Sequence, residues 1–172
     1  MKKNMFILTI CLSLIVGCSI EGCSRKKIIT SGYVDLGLPS GTEWKAENET
    51  DVMDPIDRIL WYDDALRDYG YNLPTKEQFE ELKNHCEWEW DDSKKGYIIT
   101  GNNNKSIFLP TVAWSDDLFN YNEAGWGGMY WSSTSHDSTE NAWAFMFDPH
   151  GASLDYCSKQ CLLAVRLVRN IK

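Results

Sequence analysis

From Glu87 to its last residues the chain is written largely in steps of two, and this pattern limits its possible folds more than any other feature. Trp88 and Trp90 alternate with Glu87 and Glu89, which puts indoles on one face of an extended segment and carboxylates on the other. Short runs of the same kind follow, separated by turn residues. Residues 91–96 read as a turn, 97–100 as a strand, 101–104 as a tight turn and 106–109 as the return strand. Further strands are predicted over 129–133, 141–147, 152–157 and 162–169, with Asp148-Pro149-His150-Gly151 as one of the turns. Trp143, Phe145 and Phe147 share one face of their strand. Strands that succeed one another so closely predict an antiparallel meander. Only residues 115–128, mixed in character and glycine-rich at the end, resist assignment to an element.

Ahead of this region the period is helical. Thr75 and Gln78 form a capping box just after Pro74, and Phe79, Leu82 and Cys86 recur on one face opposite Glu80, Glu81 and Lys83. That face is expected to pack on a sheet. Asp54-Pro55 offers an N-cap and a first-turn proline for a helix within 55–69 ended by Gly70; a strand over 58–62 with Asp63 capping a shorter helix is the alternative. Residues 33–36 read as a short strand and 37–41 as a turn-rich break before Trp44. Two helices and many strands give an α+β class, and residues 31–172 suit one domain.

The amino-terminal segment is of another kind. Lys2 and Lys3 precede a twelve-residue apolar run, residues 5–16, closed by Ile15-Val16-Gly17-Cys18. Crossing a bilayer takes about 20 apolar residues, so this run reads as a signal peptide over 1–17 and not as a membrane span. The last four residues resemble the lipobox of bacterial lipoproteins, which makes Cys18 the lipid-attachment residue. Acyl chains there would hold the protein on the membrane at about 0.8 kcal/mol per buried methylene. Cleavage without lipidation is the plainer alternative. Residues 18–30, without aromatic residues or periodicity, read as a lipidated tether, and Ser19 beside the anchor points to the outer membrane. Arg25-Lys26-Lys27 is placed to meet lipid headgroups.

With 17 basic residues against 25 acidic ones the chain carries a net charge of -8, which argues against nucleic acid as a partner. Export permits disulfides among Cys23, Cys86, Cys157 and Cys161. Cys157 and Cys161, with three residues between them in a hairpin-length loop, are the disulfide candidate, with two unpaired small apolar residues as the alternative.

Four blocks carry a resemblance. They are Tyr33-Val34-Asp35-Leu36-Gly37-Leu38-Pro39-Ser40-Gly41-Thr42 with Trp44; Leu73-Pro74-Thr75-Lys76-Glu77-Gln78-Phe79-Glu80-Glu81-Leu82; Tyr130-Trp131-Ser132-Ser133-Thr134; and Val165-Arg166-Leu167-Val168. Together they resemble the Fibrobacter succinogenes major paralogous domain. The resemblance implies an exported lipoprotein with a C-type-lectin-like fold, in which two helices pack on twisted antiparallel strands beside a long irregular loop. The blocks are also similar to the formylglycine-generating, sulfatase-modifying enzymes, which implies the fold and, as an alternative function, a thiol oxidase using Cys157 and Cys161. In those oxidases the cysteine pair lies upstream of the final strand; here the pair sits directly against it. A cysteine that often follows the first tryptophan in the family is Glu47 here, which leaves Cys86 without that partner.

No motif asks for a cofactor. Asp116, Asp117, Asn120, Asn122 and Glu123 crowd oxygen atoms into one loop, but the spacing fits no EF-hand and no calcium-lectin signature, so no metal is assigned. His85, His136 and His150 are scattered, and Ser132 and Ser133 lack a glycine elbow, so no catalytic residue is assigned either. Most of the eight tryptophans and eight tyrosines belong to a core. Trp114, Tyr121 and Trp126 bracket or lie inside the irregular loop, and Trp126 is flanked by glycines. With Asp116 and Asp117 they are the ligand-binding candidates, since rings at a loop rim stack on sugars or anchor proteins; a collapsed loop core is the alternative, above all for Trp114. The expectation is a lipid-anchored surface protein that binds or adheres to a glycan or protein without catalysis, with a structural spacer in a surface assembly as a further alternative.

Overall fold

The computed structural model describes residues 27–28, 32–50, 59–116, 121–137 and 140–170. The signal peptide, Cys18, Cys23 and Asp117 lie outside the described residues. In chain order the elements are β1 (Lys27–Ile28), β2 (Tyr33–Asp35), β3 (Thr42–Lys45), β4 (Ile59–Leu60), α1 (Tyr62–Tyr69), α2 (Lys76–His85), β5 (Glu87–Asp91), β6 (Gly96–Thr100) and β7 (Lys105–Pro110). They continue as β8 (Trp114–Ser115), β9 (Tyr121–Asn122), β10 (Gly128–Ser135), β11 (Asn141–Asp148), β12 (Gly151–Ser158), β13 (Leu163–Ala164) and β14 (Val168–Asn170). The class is α+β, with two short helices and mostly antiparallel sheets.

The expected antiparallel meander forms as two separate ones. One is the β7-β6-β5 part of a four-stranded sheet and the other the β12-β11-β10 part of a five-stranded sheet that continues through β13 to β4. Because successive side chains point to opposite faces, the five-stranded sheet is lined on both sides. Tyr130, Phe145, Phe147 and Ala164 join one cluster with Phe79 and Leu82 of α2, while Trp131, Ala142, Ala144 and Leu163 join a second with Tyr62 and Ala65 of α1.

α2 carries the expected capping box: the Thr75 hydroxyl accepts from the Gln78 N–H at 3.2 Å and the Gln78 side chain accepts from the Thr75 N–H at 2.8 Å. Asp54-Pro55 lies outside the described residues, while α1 lies within the expected 55–69 and ends at the expected Gly70. A two-residue strand precedes it, Trp61 stands at its N-cap without a side-chain bond, and Asp63 lies in its first turn, not at the cap.

Two other expectations are corrected. Residues 162–169 are not one strand: β13 pairs with β10 and β4, and after a break β14 pairs with β3 in a three-stranded sheet. The fully buried Arg166 stands in the break and donates to the carbonyls of Lys45 and Phe108, each at 2.8 Å, tying β3 to β7. In addition Lys27–Ile28, inside the segment read as tether, pairs in parallel with Lys105 and Ser106.

The four sequence blocks meet one another in space. Ser40 binds Glu81 through its N–H and hydroxyl at 2.7 and 2.6 Å, and Gln78 donates to Thr42 at 3.1 Å. The Lys76 N–H donates to the Thr134 hydroxyl at 3.0 Å, the Ser133 N–H donates to Pro74 O at 2.8 Å, and Val168 stands opposite Trp44. The blocks are therefore a frame.

Candidate functional site

Outside that frame lies a groove of about 560 Å³. Register builds its floor, because Met129 of β10 stands opposite Met146 of β11, which stands opposite Ser153 of β12. Alternation puts this row on the same sheet face as Trp131 and Ala144, and both methionines pack against the cluster that α1 closes. Trp114 of β8, half-buried against the same cluster, and Trp126 form walls. The turn between β11 and β12 contributes Asp148, His150 and Gly151.

Three glycines explain why Trp126 points outward. Gly125 has φ of +117°, a backbone conformation that side-chain-bearing residues rarely adopt. A Cβ on Gly127 would lie 2.5 Å from the Phe147 carbonyl oxygen, and one on Gly128 would lie 2.5 Å from the Phe147 ring. The loop thus presses its backbone against β11 on one side of Trp126 and turns sharply on the other. The indole between them is 84% exposed. An exposed ring of that size, beside an open groove and on a loop shaped to hold it there, is a feature of binding surfaces more than of folding cores.

The polar edge of the groove is equally local in origin. Asp148 Oδ1 accepts from the N–H groups of His150 at 2.7 Å and Gly151 at 3.1 Å, which fixes the turn that brings the imidazole to the edge. The Tyr97 hydroxyl donates to the Asp148 carbonyl at 3.0 Å. Burial, aided by the Asp148 charge, pushes that phenol above its ordinary range. Rings and thioethers on the floor and walls, with an imidazole, a carboxylate and the Ser153 hydroxyl at the edge, suit a ligand with both apolar faces and hydroxyl groups.

Of the residues singled out from the sequence, Trp114 and Trp126 come together at the groove. Asp116 is exposed, and its carbonyl accepts from the Cys161 thiol at 3.5 Å. Tyr121, in β9, pairs through its backbone opposite Ser115 of β8 and is not among the residues that line the groove. Cys157 and Cys161 are unbridged, and their sulfurs are within hydrogen-bonding reach; that bond and burial push the Cys157 thiol upward. Burial, then the Glu81 charge, raises the Cys86 thiol to about 11. Among the described residues no three His, Cys, Asp or Glu side chains gather to hold a metal ion. No described helix is long and apolar enough to cross a membrane.

Sequence reasoning missed Met129, Met146, Asp148 and His150 as groove residues. Asp148 and His150 read as polar turn filler, and the two methionines become neighbours only through a register that no local pattern specifies. A second aromatic patch was missed as well: Tyr156 stands opposite Trp143 with ring centres 6.0 Å apart. It is less open than Trp126. His136 lies over Tyr156 at 4.1 Å between ring centres, and Lys76 Nζ lies 3.8 Å from the centre of the Trp143 ring.

Residues 84–168 match a family model described as a domain of unknown function (DUF8237). The matched segment runs from the end of α2 into β14 and contains the whole groove. No curated protein and no solved structure matches the chain.

Proposed function

We propose that the chain is a non-catalytic binding module of C-type-lectin-like type, held at the outer membrane through a lipid on Cys18, and that its groove recognises a glycan. The observation that carries this reading is Trp126, 84% exposed on a loop that Gly127 and Gly128 press against β11 and Gly125 turns, at the side of a groove of about 560 Å³. A flat, amphipathic ring offers a sugar's C–H face a large apolar contact at low entropic cost, while Asp148, His150 and Ser153 offer hydrogen bonds to its hydroxyls. The volume suits a few sugar rings. The apolar run over 5–16, closed by Gly17-Cys18, supports the address, and the four-block resemblance supports the lectin-like class.

Full-length protein in detergent, screened against arrayed glycans and then titrated with the best binder, tests the reading. Trp126→Ala is expected to weaken binding at least tenfold, about 1.4 kcal/mol or more. Unchanged affinity in that variant removes the groove as the binding surface, and binding only to protein partners removes the sugar. Protease treatment of intact cells, with mass analysis of the amino-terminal peptide, checks the anchor and the side of the membrane.

A further inference from the structure

Behind the Trp114 wall two sulfurs share a short chain of hydrogen bonds. Cys157 is the penultimate residue of β12, opposite Ala142, and Cys161 follows on a turn closed by its own N–H to the Ser158 carbonyl at 2.9 Å. The Cys157 thiol meets Cys161, while the Cys161 thiol, on a residue 4% exposed, donates to the Asp116 carbonyl at 3.5 Å. Beside that contact, Ser115 and Leu162 exchange two backbone hydrogen bonds at 3.1 and 2.9 Å. The turn that bears Cys161 is therefore fastened to the strand that bears Trp114.

We propose that Cys157 and Cys161 are a modification site that closes into a reversible disulfide, and that closure withdraws the thiol tether from Asp116 at the start of the loop beside the groove. The oxidant is a small external disulfide such as oxidised glutathione. The Cys157 thiolate attacks it, one glutathione thiolate leaves, and a mixed disulfide remains. The Cys161 sulfur then attacks the Cys157 sulfur and expels the second glutathione. The two cysteine protons end on the two released glutathione thiols, and the two electrons reduce the oxidant. Burial of both thiols slows the first attack, so the exchange runs over hours and faster at mildly alkaline pH. The bridge itself is independent of the glycan reading; only its consequence for the groove rests on it.

The test uses the full-length protein in detergent, held in oxidised or in reduced glutathione, then denatured, alkylated and mapped by mass spectrometry. The expected result is a Cys157–Cys161 link in oxidant that disappears on reduction, while Cys86 is alkylated throughout. A bridge of this loop length should raise Tm by about 5 °C, and Cys157→Ser should abolish that difference. Full alkylation of both thiols after prolonged oxidation, or linkage of either to Cys86 or Cys23, overturns the site. Hydrogen exchange over residues 114–116 tests the tether without any ligand. Oxidised wild type and Cys161→Ala should exchange several-fold faster there than reduced wild type and Cys161→Ser, whose hydroxyl can still donate. Equal exchange in the oxidised and reduced protein overturns the tether while leaving the mapped bridge and the glycan titration to be judged separately.

Discussion

Around α2 polar groups are answered by distant parts of the chain: Ser40 by Glu81, Thr42 by Gln78, and the Lys76 amide by Thr134. Around the groove the side-chain bonds are mostly local, as in the Asp148 turn, with the Tyr97 hydroxyl on the Asp148 carbonyl the long-range exception, and the large side chains face outward or line open space. The first arrangement is what fixes a fold, since each bond closes a long loop and loses its value if either partner moves. The second leaves surface uncommitted. A residue in the frame should therefore cost stability when altered, and a residue of the groove should cost binding.

The largest effect expected from this contrast is at Phe79, fully buried in the frame, stacked 4.7 Å from Phe145 and tilted against Trp44 at 5.1 Å between ring centres. Phe79→Ala should lower unfolding free energy by about 3–5 kcal/mol in urea denaturation; a loss below about 1 kcal/mol would break the division. Gly127→Ala sits on the boundary. Its new Cβ must displace the Phe147 backbone, so a cost of about 1–3 kcal/mol and a loss of ligand affinity should appear together. Stability loss with affinity intact would separate Trp126 from its glycine support.

Thr75→Ala removes half of the capping box and should cost about 1 kcal/mol with ligand affinity unchanged. Trp126→Ala inverts that result, with thermal stability kept within about 0.5 kcal/mol and affinity lost. The smallest effect is electrostatic and lies in the turn between β5 and β6. Hydrogen bonds from Ser93, then from the Lys94 amide, hold the Asp91 carboxyl below its ordinary value of 3.8. A carboxyl lowered on folding stabilises above its unfolded value, and that contribution is lost as pH falls through the folded one. Acid titration of Asp91→Asn should thus show a slightly shallower loss of stability below about pH 4 than the parent. An identical acid limb would show that the turn bonds carry no net stability.

The sequence made the frame legible because its signals are short-range. Thr75, Gln78, Phe79 and Leu82 announce a capped amphipathic helix within eight residues, and Trp88 and Trp90 announce a strand within three. Residues 162–169 were misread because six successive residues, 163–168, are buried, so no alternation marks where the chain leaves one sheet for another. Arg166 gave no warning either, since its two carbonyl acceptors lie 121 and 58 residues away. In the groove, Trp114 and Trp126 could be chosen because glycines and loop composition surround them. Met129 and Met146 could not, since what joins them is the pairing of β10 with β11.

Tyr130 and Trp131 are neighbours on β10, yet each belongs to a different cluster, with the Tyr130 hydroxyl donating to Pro110 at 2.7 Å and the Trp131 indole to Leu60 at 2.7 Å. One strand thus serves as the wall between two interiors. Neither interior can melt alone, because losing β10 opens both, and heating should give a single calorimetric peak whose van't Hoff and measured enthalpies agree.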